Sequence, residues 1–204
     1  MKIIAVGMNY ANHNKEMHHS LELSEPTLFM KGDSALLKDG KPFFIPDFSS
    51  DVQYETEIVV RISRLGKNIA ERFADRYYEE VTVGIDFTAR DLQTDLRKKG
   101  LPWEISKAFD SSAVVGEFVP LGRVGKIAEL PFHLDLNGKK VQEGNTAWML
   151  FPVDRIIAYA SRFFTLKIGD LIYTGTPAGV GPVHIDDHLE GYIGERKLLD
   201  FYVR

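Results

Sequence analysis

Val52-Gln53-Tyr54-Glu55-Thr56-Glu57-Ile58-Val59-Val60-Arg61-Ile62 is rich in β-branched and apolar residues, and its composition predicts a strand over 52–62, the strongest in the chain. Side chains of a strand alternate between its faces, so Glu55 and Glu57 point the same way at short range. Two carboxylates that close repel, and the repulsion pushes one of them toward protonation. A bound cation removes the conflict. The alternative is that both carboxylates lie on the wet face of a half-exposed strand.

On either side of this strand, residues 2–7 read as a first strand, and a polar, histidine-rich stretch from Asn9 to Glu25 has weak helical character. Pro26 restarts an extended segment from Thr27 to Lys31, and turn composition marks Lys38-Asp39-Gly40-Lys41 and Pro46-Asp47. Asn68 can cap a helix from Ile69 to about Val81, in which Ile69, Phe73 and Tyr77 recur at four-residue spacing. A strand from Thr82 to Phe87 and a short helix from about Ala89 to Lys98 follow. Asn137-Gly138 between Phe132–Leu136 and Lys139–Gln142 signals a hairpin with a type I′ turn. Val153, Ile156, Ile157, Ala160, Phe163 and Phe164 predict a helix starting near Pro152, and Leu171 to Thr174 a strand that runs into Gly175-Thr176-Pro177-Ala178-Gly179. Strands outnumber helices without alternating with them, which predicts an α+β fold with a mixed or antiparallel sheet.

Length and composition set outer bounds. At 204 residues and 44% hydrophobic, the chain can bury one core, and no repeat or linker divides it, so 1–204 is read as a single domain. With 25 basic and 29 acidic residues, scattered, nothing points to a nucleic-acid partner. No apolar run approaches a membrane span, and the N-terminus lacks the apolar region of a secretory leader, so the expectation is a cytoplasmic protein with no membrane partner. Cysteine is absent, so a metal would have to be held by oxygen or imidazole.

Three groups of side chains could carry chemistry. Glu55, Glu57 and Asp86 interrupt apolar strands, and an all-oxygen set completed by water favours Mg²⁺ or Mn²⁺. His13 and Glu16 share a helical face, and a carboxylate raises the basicity of a neighbouring imidazole; a solvated surface pair is the plainer reading. Arg90 and Gln93 are also three apart and could clamp a carboxylate and a keto oxygen, or simply lie on a helix surface. Lys107 could stabilise an enolate or snorkel to water. The Thr174–Gly179 segment either admits a ligand close to its backbone or is a tight structural turn. His18, His19, His133, His184 and His188 read as structural or exposed.

In this order, His13-x-x-Glu16, Glu55-x-Glu57, Asp86-x-x-x-Arg90-x-x-Gln93, Gly100-Leu101-Pro102-Trp103 leading to Lys107, and Thr174-Gly175-Thr176-Pro177-Ala178-Gly179 resemble the fumarylacetoacetate hydrolase family. The likeness covers essentially the whole chain, whose length is similar to the stand-alone catalytic domain of short members, the acylpyruvate hydrolases and oxaloacetate decarboxylases. It implies a mixed β-roll, usually a homodimer. Mg²⁺ or Mn²⁺ would be held by Glu55, Glu57 and Asp86, with water replacing the further carboxylate that fumarylacetoacetase places upstream of the histidine. His13 and Glu16 would sit on a lid at about 11–25, Lys107 would support catalysis, and Arg90, Gln93 and Thr176 would bind a small 2-keto acid. Pro182 to His188 departs from the family's Gly-Asp strand opening. The implied activity is cleavage of a 3-acylpyruvate to pyruvate and a carboxylate. Alternatives are oxaloacetate decarboxylation, or keto-acid isomerisation or hydration, on the same site, and a non-catalytic binding protein that keeps the fold.

Overall fold

The computed structural model describes residues 1–17 and 24–204. In chain order the elements are β1 (Ile3–Gly7), α1 (Ala11–Glu16), β2 (Thr27–Lys31), β3 (Leu36–Leu37), β4 (Val52–Tyr54), β5 (Thr56–Ile62), β6 (Tyr78–Asp86), β7 (Thr88–Ala89), α2 (Arg90–Lys99), α3 (Glu104–Lys107), β8 (Ala113–Val115) and β9 (Val119–Pro120). The remainder are β10 (Pro131–Leu136), β11 (Lys139–Asn145), α4 (Val153–Phe163), β12 (Leu171–Tyr173), β13 (Gly181–Pro182), β14 (His188–Ile193) and β15 (Arg196–Tyr202). The architecture is α+β, as expected. An eight-stranded mixed sheet runs β2-β1-β12-β5-β6-β8-β3, with β9 beside β6; β10, β11, β14 and β15 form a second sheet, and β4, β7 and β13 a third.

The large sheet has to curl. Its outer strands, β2 and β3, are joined only by residues 32–35. A connection that short spans at most roughly 18 Å, whereas the strands of a flat sheet of this order would hold its edges about 29 Å apart. Alternation then divides the side chains between two cores. The inner row of the roll carries Ile3, Ala5, Val59, Ala113, Val115, Leu171 and Tyr173. The outer row, with Ile4, Val6, Ile58, Val60, Val83 and Ile85, packs against α4 and the second sheet through Ile156, Ile157, Phe132, Leu189 and Phe201. Among the described residues no helix is long and apolar enough to cross a membrane.

Two expectations about elements need correction. The predicted strand 52–62 breaks at Glu55: β4 pairs with β7 and β13, β5 with β6 and β12, so the chain changes sheets there. The predicted helix from Ile69 to Val81 is a 3-10 segment, Glu71–Tyr77, that gives way to β6 at Tyr78. Tyr78, Val81, Thr82 and Val83 suit a pleated surface, and pairing along the full length of β5 outweighs the local helical spacing. The Asn137-Gly138 hairpin, the helix after Pro152 and the first two strands lie where predicted. His18, His19 and the middle of the predicted lid lie outside the described residues.

Candidate active site

One mouth of the roll gathers the chemistry. β1 ends there, β5 begins there, β6 ends there at Asp86, and the segment after β12 crosses it. Glu55, Glu57 and Asp86 are all buried, and one oxygen from each lies within 4.8 Å of the others. The break at Glu55 does not part it from Glu57, because the Asp86 N–H donates to the Glu55 carbonyl at 2.8 Å and ties the kink to the end of β6.

Cations surround two of these carboxylates. Lys107 Nζ donates to Glu55 Oε2 at 2.7 Å and to Asp86 Oδ2 at 2.8 Å. Arg90, first residue of α2, donates to Glu55 Oε1 at 2.5 Å, Gln93 Oε1 at 2.6 Å and Gln53 Oε1 at 2.8 Å. Burial works to raise the Glu55 carboxyl, but Lys107 and Arg90 outweigh it and hold the group well below the usual carboxylate range. Lys107 is itself raised, Asp86 and Glu55 overcoming the burial that would lower it. The lysine is not a snorkelling side chain.

Glu57 stands in the opposite condition. Its Oε2 accepts from the Gly175 N–H at 2.7 Å, and burial, then Asp86 and Glu55, push its carboxyl well above the ordinary range. Gly175 has φ +97°, and a Cβ there would lie 2.7 Å from Asn9 Cβ, so only glycine brings this amide to the carboxylate. Asn9 is fixed in turn by hydrogen bonds to Phe151 and Thr174. Asp86 Oδ1, also buried, receives no directed hydrogen bond, although Lys31 Nζ lies 2.6 Å away. Three oxygens converging without enough protons between them suit a hard divalent cation, and the residues present fit one.

His13, on α1, is buried and lines the same cleft. Its Nδ1 lies 3.4 Å from Glu16 Oε2, and the Glu16 carboxylate also accepts from the Gly179 N–H at 3.1 and 3.2 Å. Burial of His13 sets the pair apart from a wholly solvated one, and Glu16, itself exposed, links α1 to the turn after β12. Thr176 lines the cleft, but its hydroxyl donates to the Thr56 carbonyl at 2.9 Å and accepts from Gln142 Nε2 at 3.0 Å, which commits it to holding the turn.

The structure thus brings His13, Glu16, Glu55, Glu57, Asp86, Arg90, Gln93, Lys107 and Thr176 to one place. It adds residues that the sequence reading passed over. Gln53 holds Arg90, and Gln142 ties Thr56 to Thr176 and Pro177. Lys31, on the inner face of β2, is fully buried; burial lowers it and Asp86 opposes that. Arg97, seven residues beyond Arg90 on α2, and Trp103 also line the cleft. The available signal for Lys31 was a lone charge ending the apolar strand Thr27-Leu28-Phe29-Met30, two residues from Phe29 and so on its face.

Known proteins resemble this chain in sequence and fold. A family model described as fumarylacetoacetate (FAA) hydrolase C-terminal matches residues 2–200. Oxaloacetate tautomerase FAHD1, mitochondrial, of Mus musculus is 42% identical over 191 residues, covering 94% of this chain and 86% of that protein. Oxaloacetate decarboxylase, mitochondrial, of Dictyostelium discoideum is 40% identical over 183 residues, covering 89% of this chain and 84% of that protein. The crystal structure of fumarylpyruvate hydrolase from Pseudomonas aeruginosa in complex with Mn²⁺ and pyruvate superposes with a TM-score of 0.93 at 34% identity, covering all of this chain and 89% of that one. With a family match along nearly its whole length and relatives this similar, the chain belongs to the fumarylacetoacetate hydrolase family and is an enzyme of it.

Proposed function

We propose that the protein is a divalent-metal-dependent hydrolase of carbon–carbon bonds, cleaving a 3-acylpyruvate to pyruvate and a carboxylate. The observation that carries this reading is the buried His13, in contact with Glu16 and lining the same cleft as Glu55 and Asp86. Glu55, Glu57 and Asp86 would hold Mg²⁺ or Mn²⁺, which when bound polarises the keto oxygen and offsets negative charge developing on it. Around it the chain's own groups act. His13 Nε2 takes a proton from water, with Nδ1–H directed at Glu16, and the water oxygen bonds to the distal carbonyl carbon. The bond from that carbon to C3 of the pyruvyl unit then breaks, its electron pair leaving as pyruvate enolate, and the proton held by His13 returns to C3. Arg90 and Gln93 orient the substrate carboxylate, Lys107 lies beside the developing negative charge, and the turn held by Thr176 closes the wall. A homodimer in the cytoplasm is part of the same reading.

A second reading is favoured by the relatives named as oxaloacetate tautomerase and oxaloacetate decarboxylase. In it, oxaloacetate is the substrate and no nucleophilic water is required. Assaying the purified protein with acetylpyruvate and with oxaloacetate, each with Mg²⁺ and with chelator, separates the two. Metal-dependent release of pyruvate and acetate is expected. Turnover of oxaloacetate alone selects the second reading, and turnover of neither, without metal binding, leaves a binding protein.

A further inference from the structure

The reaction above gives Lys31 nothing to do, yet it is among the largest fully buried side chains of the protein. Its Nζ donates to the Lys107 carbonyl, to the Ser112 carbonyl at 3.1 Å and to Ser112 Oγ at 3.0 Å. Ser112 Oγ gives its own hydrogen to the Lys107 carbonyl at 3.0 Å, so toward Lys31 it can only accept. Three acceptors call for three N–H bonds, and a neutral amine has two; Lys31 is an ammonium. That charge lies 2.6 Å from Asp86 Oδ1, while Lys107 takes Oδ2.

Even with all three carboxyl groups ionised, the charge of the cluster is therefore already matched before any ligand arrives. Three carboxylates converge, and three cations (Arg90, Lys107 and Lys31) are in contact with Glu55 and Asp86. A divalent cation entering alone meets no net attraction and leaves a buried double positive charge, which is costly. A dianion arriving with it cancels that charge, and an enolised 2-keto acid is one.

We propose that Lys31 is a positioning residue that fixes Asp86 and, through its charge, keeps the ligand-free site's hold on a divalent cation weak, so that cation and dianionic ligand bind cooperatively. This rests on the reading of Glu55, Glu57 and Asp86 as the metal site. The test is calorimetric titration of the full chain with Mn²⁺, with and without oxalate, the smallest dianion with the same 1,2-dioxygen edge. In the wild type, oxalate should tighten Mn²⁺ by on the order of 100-fold, and Mn²⁺ should tighten oxalate by the same factor. Lys31→Met should bind Mn²⁺ alone on the order of tenfold more tightly than wild type, and the oxalate effect should shrink to about tenfold. A merely structural role predicts the opposite sign, because a loosened Asp86 weakens the metal. Mn²⁺ affinity in a folded Lys31→Met equal to or below wild type overturns the proposal. Lys31→Gln, which keeps a donor for the backbone carbonyls, is the second variant with the same expected direction. Mn²⁺ bound by wild type and both variants alike defeats the role of Lys31 alone; no Mn²⁺ bound by the wild type in either condition defeats the metal site and this inference with it.

Discussion

Burial pulls the His13 imidazole below its ordinary range; Glu55 opposes it, Arg90 adds to it, and the hydrogen bond to Glu16 works against it. A base must be unprotonated to act, so a lowered value keeps His13 competent in mild acid. The acidic limb of kcat/KM for acetylpyruvate should therefore have its midpoint below about 6.5, the usual imidazole value. A midpoint above that value would count against His13 as the base. His13→Ala should cost roughly 10²- to 10⁴-fold in acetylpyruvate cleavage and leave Mn²⁺ affinity unchanged. Glu57→Gln keeps the shape and the Gly175 hydrogen bond but removes a ligand charge, so Mn²⁺ binding should fall by on the order of 100-fold or more; undiminished affinity would dismiss Glu57 as a ligand. The acidic trio was legible because carboxylates in apolar strands need a reason to be there. Gln53, Gln142 and Lys31 were not: an amide or a lone lysine in a strand is ordinary until its partner, 37, 34 and 55 residues away respectively, is known.

At the scale of elements, β5 and β6 set the geometry. Glu57 faces Gly84 across the ladder and Val59 faces Thr82, so the same inward row carries a proposed ligand and the core of the roll. Gly84 leaves room there for Tyr173, whose hydroxyl donates to the Val114 carbonyl at 2.9 Å. A Cβ at Gly84 would come within 2.6 Å of the Val114 carbonyl oxygen, 2.8 Å of Val59 and 3.1 Å of the Tyr173 ring. Gly84→Ala should destabilise by about 1–3 kcal/mol, read as a lower Tm; an unchanged Tm would mean that the roll is looser than its packing implies. Strand β5 was visible from its β-branched run. Its break at Glu55 was not, since alternation reads the same through a change of sheet. Residues 69–81 misled because helical spacing is a local signal, whereas β6 is held by a partner strand distant in sequence.

For the molecule as a whole, the site does not hold the fold together. The outer core brings α4, the second sheet and the roll together away from the mouth, and Lys107, Arg90 and Lys31 already restrain the carboxylates. Chelation should therefore abolish turnover while leaving the far-ultraviolet circular dichroism unchanged. Adding Mn²⁺ at about 100 times its Kd should stabilise the protein by about 2.7 kcal/mol through mass action. Unfolding on chelation would show instead that the ion is structural. The curl of the sheet was hidden in the sequence, because it follows from which strands pair at the edges, and only the short link between β2 and β3 betrays it.

Register within the sheet also governs which changes of length the chain can survive. Deleting Ile58, with the ladder from Val59 onward kept in register, would move the residues before it one step along and exchange their two rows of side chains. Thr56 would then occupy the inward place of Glu57, and the Glu57 carboxylate would turn toward the outer core. Reading frame along this one strand, as much as residue identity, is what inheritance has to protect.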